Sequence, residues 1–249
     1  MEVHAHTHTA RKKWTHYLWE FLMLFLAVFC GFLAELQLEH QIEKTREKEY
    51  ILSMIEDLQK DTANFNIVSN DFHEIETRLD SLIAGFDKAT SRFNSNWVSD
   101  FMKSIKNGYT DFVYTDRTIQ QLTNSGGMRL IKRDAAAKGI ISYDAAIKDL
   151  YIELNMMSAG QENYIKEVFN NWSQRYMYRD LSITNWDRKI NYVITKNYWT
   201  TTDSKAFDQL YNKMVYYYEM TLLQTRLMVN YKKQAIDLIA LLKNEYHLK

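Results

Sequence analysis

The chain has 249 residues, 46% of them hydrophobic, and its 31 basic side chains balance 31 acidic ones for a formal net charge of +0. It is long and apolar enough to bury a sizeable core, and the charge balance supplies no basic face for nucleic acid. With no proline and only 7 glycines, against averages near ~5% and ~7%, almost nothing interrupts long helices, and an all-α fold is expected.

Residues 1–13 read as a polar, cytoplasmic tail, in which His4, His6 and His8 alternate and Arg11, Lys12 and Lys13 form a basic cluster. Trp14 to Leu38 follows as the expected transmembrane helix. A bilayer core of about 30 Å needs roughly 20 helical residues. The uninterrupted apolar run, Phe21 to Ala34, is shorter, so the span borrows Trp14, Tyr17, Leu18 and Trp19 at one end and Leu36 and Leu38 at the other. The aromatics suit the headgroup layer. A cleaved signal peptide has similar composition, but Phe32 stands where cleavage after Ala34 would need a small residue, and Phe29 before Cys30 spoils a lipoprotein-type site. Basic residues before the run and Glu35, Glu39 and Glu43 after it predict a cytoplasmic N-terminus and a periplasmic body over residues 39–249. Cys30, the single cysteine, can form no intrachain disulfide.

Within the span, Glu20 is the sharpest candidate for chemistry, because an ionisable group in a membrane helix is costly and faces protein or a watery cavity. His16 lies one turn before it. Its face continues through Leu24, Ala27, Gly31 and Ala34, and these small residues allow close approach of a second helix. Two readings stand side by side: a polar association site formed by His16, Glu20, Ala27, Gly31 and Ala34, or a carboxylate that snorkels to the cytoplasmic surface.

Glu39 to Glu49 is densely charged with both signs and reads as a solvated helix face. From Ile51 a seven-residue repeat runs through Ile51, Leu58, Phe65, Phe72, Leu79 and Phe86, with Met54, Val68, Ile75 and Leu82 at the second apolar position and Asp61 as its only break. Such heptads predict a long helix, or two broken near Asn64 to Asn70, packed along a coiled-coil-like seam within or between chains. Continuous with the membrane helix, it would extend on the order of 110 Å at ~1.5 Å per residue.

Gly85 and Ala89 to Asn96 mark a turn, and Trp97 to Lys106 an amphipathic helix. Tyr109 to Tyr114 reads as an extended connector. Asp116 or Thr115 is placed to cap a short helix from Arg117 to Thr123, which Gly126 and Gly127 terminate. A second stripe occupies Ile140, Tyr143, Ile147, Leu150, Leu154, Met157, Tyr164 and Val168. Asn170 to Thr202 is rich in aromatics and polar groups. The cluster of Thr200, Thr201, Thr202 and Asp203 can cap a last long helix from Ser204 to about Leu248, whose seam is expected at Tyr211, Val215, Tyr218, Leu222, Val229, Ile236 and Ile239. Three long amphipathic helices make an antiparallel bundle the natural architecture.

His40 and His73 lack partners at metal-ligand spacing, and Tyr216, Tyr217 and Tyr218 point around their helix, which favours packing over a substrate box. No phosphate loop, cysteine pair, serine elbow or zinc-binding His-Glu motif occurs. None of the many acid pairs stands out, and neither cofactor nor metal is expected.

The stretches WEFLMLFLAVFCGFLAE, EYILSMIEDLQKD and TIQQLTNSGGMRLIKRDAAAKGIISYDAAI resemble an uncharacterised family of single-pass membrane proteins of Bacteroidetes-type bacteria. There a Glu opens the apolar run, an Asp-containing helix follows, and a Ser-Gly element with a Leu-Ile pair comes later. Glu20, Asp57, Asp61, Ser125, Gly126, Leu130 and Ile131 match these places, and the run here is richer in phenylalanine and leucine. The resemblance implies location and topology. The leading expectation is a non-enzymatic, homo-oligomeric inner-membrane scaffold with membrane lipid and an envelope protein as partners. The alternatives are an ion- or proton-coupled component working through Glu20 and an enzyme acting on envelope material.

Overall fold

A computed structural model describes residues 14–86, 112–170 and 203–248. Every regular element among them is helical: α1 (Trp14–Phe86), α2 (Arg117–Asn124), a 3-10 turn (Gly127–Leu130), α3 (Asp134–Asn170) and α4 (Ser204–Glu245). The chain is all-α, as its lack of proline predicts. The expected turn at 89–96, the helix at 97–106 and the aromatic stretch at 171–202 lie outside the described residues, as do the side chain of Val168 and the histidines of the tail.

The chain divides into two compact units after Tyr50, twelve residues beyond the end of the expected membrane span. The first contains the N-terminal part of α1, whose side chains from Trp14 to Ile42 are all exposed. The second begins at Ile51, the first residue of the heptad, and holds the core.

Helix α1 continues unbroken through Asn64 to Asn70. Its heptad is buried as expected: Ile51, Leu58, Phe65 and Leu79 are fully covered, and Phe72 and Phe86 nearly so. Each such side chain taken out of water contributes roughly 1.5–3 kcal/mol. The cover comes from this same chain. Phe112 stacks on Phe65 at 4.1 Å and Tyr211 of α4 lies against Phe86 at 4.9 Å, so the seam between residues 51 and 86 packs within the chain.

Contacts along the helices give their directions. Helix α4 runs antiparallel to α1, since Phe86 meets Tyr211 and Glu76 accepts a hydrogen bond from Thr225. It also runs antiparallel to α3, since Gly139 faces Leu238 and Leu241 while Gly160 faces Tyr216. Helices α1 and α3 therefore share a direction, with Asp61 opposite Tyr143. Both glycines lie where α3 and α4 approach closely: a Cβ at Gly139 would come 2.9 Å from Leu238 Cδ1, and one at Gly160 would come 2.6 Å from the Tyr216 hydroxyl.

The stripe on α3 is buried at Ile140, Tyr143, Ile147, Leu150 and Tyr164, while Leu154 and Met157 are half-buried. On α4 the expected seam is displaced by one residue at every position. In place of the expected residues, Leu210, Met214, Tyr217, Thr221, Met228, Ala235 and Leu238 are among the buried ones, while Val229 and Ile236 are exposed. One residue is about 100° around a helix. The apolar residues of α4 cover most of its circumference, and its inner face includes Thr221, Gln224 and Ala235, so a reading by residue size alone selects the neighbouring stripe.

The cap of α4 is as expected, with the Asp203 carboxylate accepting from the Lys205 N–H at 3.1 Å. Helix α2 ends as expected too: Gly126 adopts φ +66°, the left-handed conformation glycine tolerates best. Its start is different. Asp116 occupies the N-cap position without a side-chain cap bond and instead accepts from the Gln120 side chain at 2.5 Å.

Candidate functional site

In the first unit, His16 Nε2 and Glu20 Oε1 are 3.0 Å apart, with both side chains about half exposed. Ala27, Gly31 and Ala34 continue this face by helical spacing, and all are exposed. A Cβ on Gly31 would meet nothing within 4 Å. The structure thus joins His16 to Glu20 and leaves the small-residue face open. Phe21, Phe25 and Phe29 stack in succession on another face, at 6.4 and 5.9 Å. The helix is long and apolar enough to cross a membrane, and none of its most apolar 18-residue window is buried.

The second unit contains a polar centre built on two acids of α1, Asp57 and Asp61, each only 1% exposed. They are one turn apart on the same helix face. Asp57 Oδ1 accepts from Arg117 Nη2 at 2.9 Å, and Oδ2 accepts from the Thr118 N–H at 3.0 Å and the Thr118 hydroxyl at 2.5 Å. Asp57 therefore supplies the acceptor that a local N-cap would offer: a carboxylate from α1 satisfies an orphan amide in the first turn of α2 and meets the positive end of its dipole. Arg117 also lies 3.6 Å from Glu56 at the surface.

Asp61 receives the Thr115 N–H at 2.8 Å on Oδ1 and the Tyr143 hydroxyl at 2.9 Å on Oδ2. Burial pushes its carboxyl above the usual value of 3.8, and the charge of Asp57 adds to this, while the Thr115 and Tyr143 hydrogen bonds oppose it. Burial and the adjacent Asp61 charge hold the Tyr143 phenol firmly protonated. Burial and Asp144 do the same for Tyr114, whose hydroxyl faces Asp144 at 3.4 Å.

These acids anchor residues 112–116, which have no regular secondary structure. The segment's backbone groups are satisfied by side chains instead. The Val113 carbonyl accepts from Asn64 Nδ2 at 2.7 Å. Tyr151 accepts from the Tyr114 N–H and donates to the Phe112 carbonyl, both at 3.0 Å. Of the expected connector, residues 109–111 lie outside the described residues; the described part, residues 112–114, has no regular secondary structure and is held by side chains of α1 and α3.

A smaller polar group lies between α3 and α4, where Gln161 donates to Gln224 at 2.8 Å beside Thr221, all three buried. Around the corner is a cleft of about 420 Å³ lined by Met156, Met157, Tyr216, Met220, Leu223 and Leu227, with Glu153 at its edge. His73 is exposed and contacts Glu76 at 3.3 Å. Among the described residues no group of three metal-ligating side chains converges.

Sequence reasoning met Asp61 as a break in the heptad and named Asp57 and Asp61 through the family resemblance, but did not read them as a buried, hydrogen-bonded pair. The available signal was an acid at an apolar heptad position with a second acid exactly one helical turn before it. Its partners, Thr115, Arg117, Thr118 and Tyr143, are more than 50 residues away and carried no comparable mark. Chemically the centre is saturated with hydrogen bonds and suits the fastening of one segment to another. No protein-family model matches the chain, and no significant similarity links it to a curated protein or to a solved structure.

Proposed function

We propose that the chain is a single-pass inner-membrane protein whose helical periplasmic body serves as a scaffold or adaptor for another envelope protein. The observation that carries this reading is that every apolar side chain from Trp14 to Leu38 is exposed, none of them covered by the rest of the chain. A continuous apolar surface on every side of a helix is far larger than the patches soluble proteins leave in water, and lipid is the environment that accommodates it. The basic cluster at residues 11–13 supports a cytoplasmic N-terminus. The resemblance to single-pass proteins of Bacteroidetes-type bacteria supports the same topology.

Association of copies through the open face of Glu20, Ala27, Gly31 and Ala34 belongs to this proposal. Small residues allow two helices to approach closely, and a polar pair such as His16 and Glu20 is better accommodated in a helix–helix contact than against lipid. Cys30 lies beside that face and is exposed, so thiol crosslinking in native membranes tests it directly. Crosslinked dimers or higher species are expected. A strictly monomeric chain at native abundance would reject the association. Resistance of the chain to alkaline extraction, with the body degraded only by protease added from the periplasmic side, tests the topology.

The His16–Glu20 pair favours a second reading, in which Glu20 carries a proton or ion. In that case Glu20→Gln abolishes the cellular phenotype of the protein while crosslinking through Cys30 persists. An unaltered phenotype would reject it.

A further inference from the structure

Helices α3 and α4 leave an apolar cleft at the surface of the body, about 420 Å³ in volume, with Met156 and Met157 on one wall and Met220, Leu223 and Leu227 on the other. Tyr216 closes one end, where its ring lies against Gly160. The cleft is open, with Met156 72%, Tyr216 44% and Leu223 39% exposed. Ile152, one turn before Met156, is exposed as well and extends the apolar surface along α3.

Charge marks the same edge. Three acids of α3 are each paired with a lysine one turn on: Asp134 with Lys138 at 2.7 Å, Asp144 with Lys148 at 2.6 Å and Glu162 with Lys166 at 3.0 Å. Asp149 and Glu153 break this pattern. The residue one turn after Asp149 is Glu153 itself, and the one after Glu153 is Met157. Two like charges therefore stand one turn apart, an arrangement that destabilises a helix. Both are exposed, and among the described residues no cation forms an ion pair with either. Glu153 lines the cleft. Asp149 shares its side of α3: burial, and then the charges of Glu153 and Asp149, push up the phenol of Tyr231, one turn beyond Leu227 on α4.

A groove between two antiparallel helices accepts a third helix laid along it. From Tyr216 to Leu227 the α4 wall is about 16 Å long at ~1.5 Å per residue, or roughly three turns of an incoming helix. Methionine side chains adapt their shape to such a partner. On the reading of the body as an adaptor, we propose that this cleft is the docking site for an amphipathic helix of another envelope protein. That helix places apolar side chains between Met157 and Met220 and a Lys or Arg against Asp149 and Glu153. The same two acids select against a lipid: an acyl chain entering the cleft would bring its phosphate or carboxylate against two like charges.

A photoreactive phenylalanine analogue at Met156 or Leu223 of the full-length chain in intact cells tests this, with the analogue at exposed Val229, on another face of α4, as reference. The expected adduct lies on the apolar face of a helical segment of another protein that carries a Lys or Arg within a turn. A synthetic peptide of that segment should bind the full-length chain in detergent micelles. Asp149→Asn combined with Glu153→Gln, both at exposed positions, should weaken it about two- to tenfold and reduce its salt dependence. Adducts confined to lipid or to this chain, adducts no stronger than at Val229, or a peptide indifferent to the two substitutions would overturn the proposal. Capture of an envelope protein from Val229 alone would overturn the cleft as the docking site and leave the adaptor reading standing. Absence of any adduct to another protein from all three positions would reject both.

Discussion

Replacing Asp57 by alanine removes three hydrogen bonds at once, two of them from Thr118, which is 1% exposed. The third partner, Arg117, is 57% exposed and returns to water or to Glu56, so its share is only ~0–1 kcal/mol, as for a surface pair. The Thr118 amide cannot do so: a buried donor without an acceptor costs ~1–3 kcal/mol, and its hydroxyl adds a smaller amount. The predicted loss is therefore about 2–4 kcal/mol. At a urea slope of ~2 kcal/mol per molar, the midpoint of unfolding followed by circular dichroism should fall by about 1–2 M. Asp57→Asn keeps one oxygen acceptor and should lose only about 1 kcal/mol. In a double-mutant cycle with Thr118→Val, the coupling should reach ~1 kcal/mol or more. An Asp57→Ala midpoint equal to that of the unaltered chain, or strictly additive effects with Thr118→Val, would refute the assignment of Asp57 as the remote cap of α2.

Gln224→Leu should cost ~1–3 kcal/mol by leaving the Gln161 amide buried without its main partner, whereas Gln161→Leu combined with Gln224→Leu should recover most of it; thermal melts of the three variants check this. Gly139→Leu should destabilise by ~1–3 kcal/mol, since even a Cβ there meets Leu238 at 2.9 Å, and Leu58→Ala should cost ~2–5 kcal/mol because the side chain is fully buried, both read from urea midpoints. The raised Asp61 carboxyl contributes stability that is fully present below the ordinary value of 3.8 and lost as pH rises through its raised value. The stability of Asp61→Asn relative to the unaltered chain should accordingly increase with pH over that window in denaturation curves recorded at several pH values.

Periodicity made the long elements legible. The seven-residue recurrence from Ile51 to Phe86 needs no knowledge of a partner, because any helix carrying it must cover that stripe, and the stripe is buried along its whole length. The apolar run from Phe21 to Ala34 and the termini at Asp203 and Gly126 were similarly readable, each resting on residues within a turn or two of one another. The orientation of α4 was not legible. Its face was decided by Thr221, Gln224 and Ala235, which are buried because Gln161 and the close approach of α3 meet them there.

The sequence by itself determined that this chain is helical, that residues 14–38 demand an apolar environment, and that residues 51–86 present one continuous stripe to a partner. Those properties follow from local spacing and from the free energy of each side chain in water. Only the tertiary structure decided that the stripe is covered by the same chain and that α1 and α3 run in the same direction. It alone decided that Asp61, the apparent flaw in the heptad, joins Asp57 in holding a segment more than 50 residues away. A carboxylate's tolerance of burial depends on donors delivered by other elements, and those donors become its neighbours only once the chain has folded.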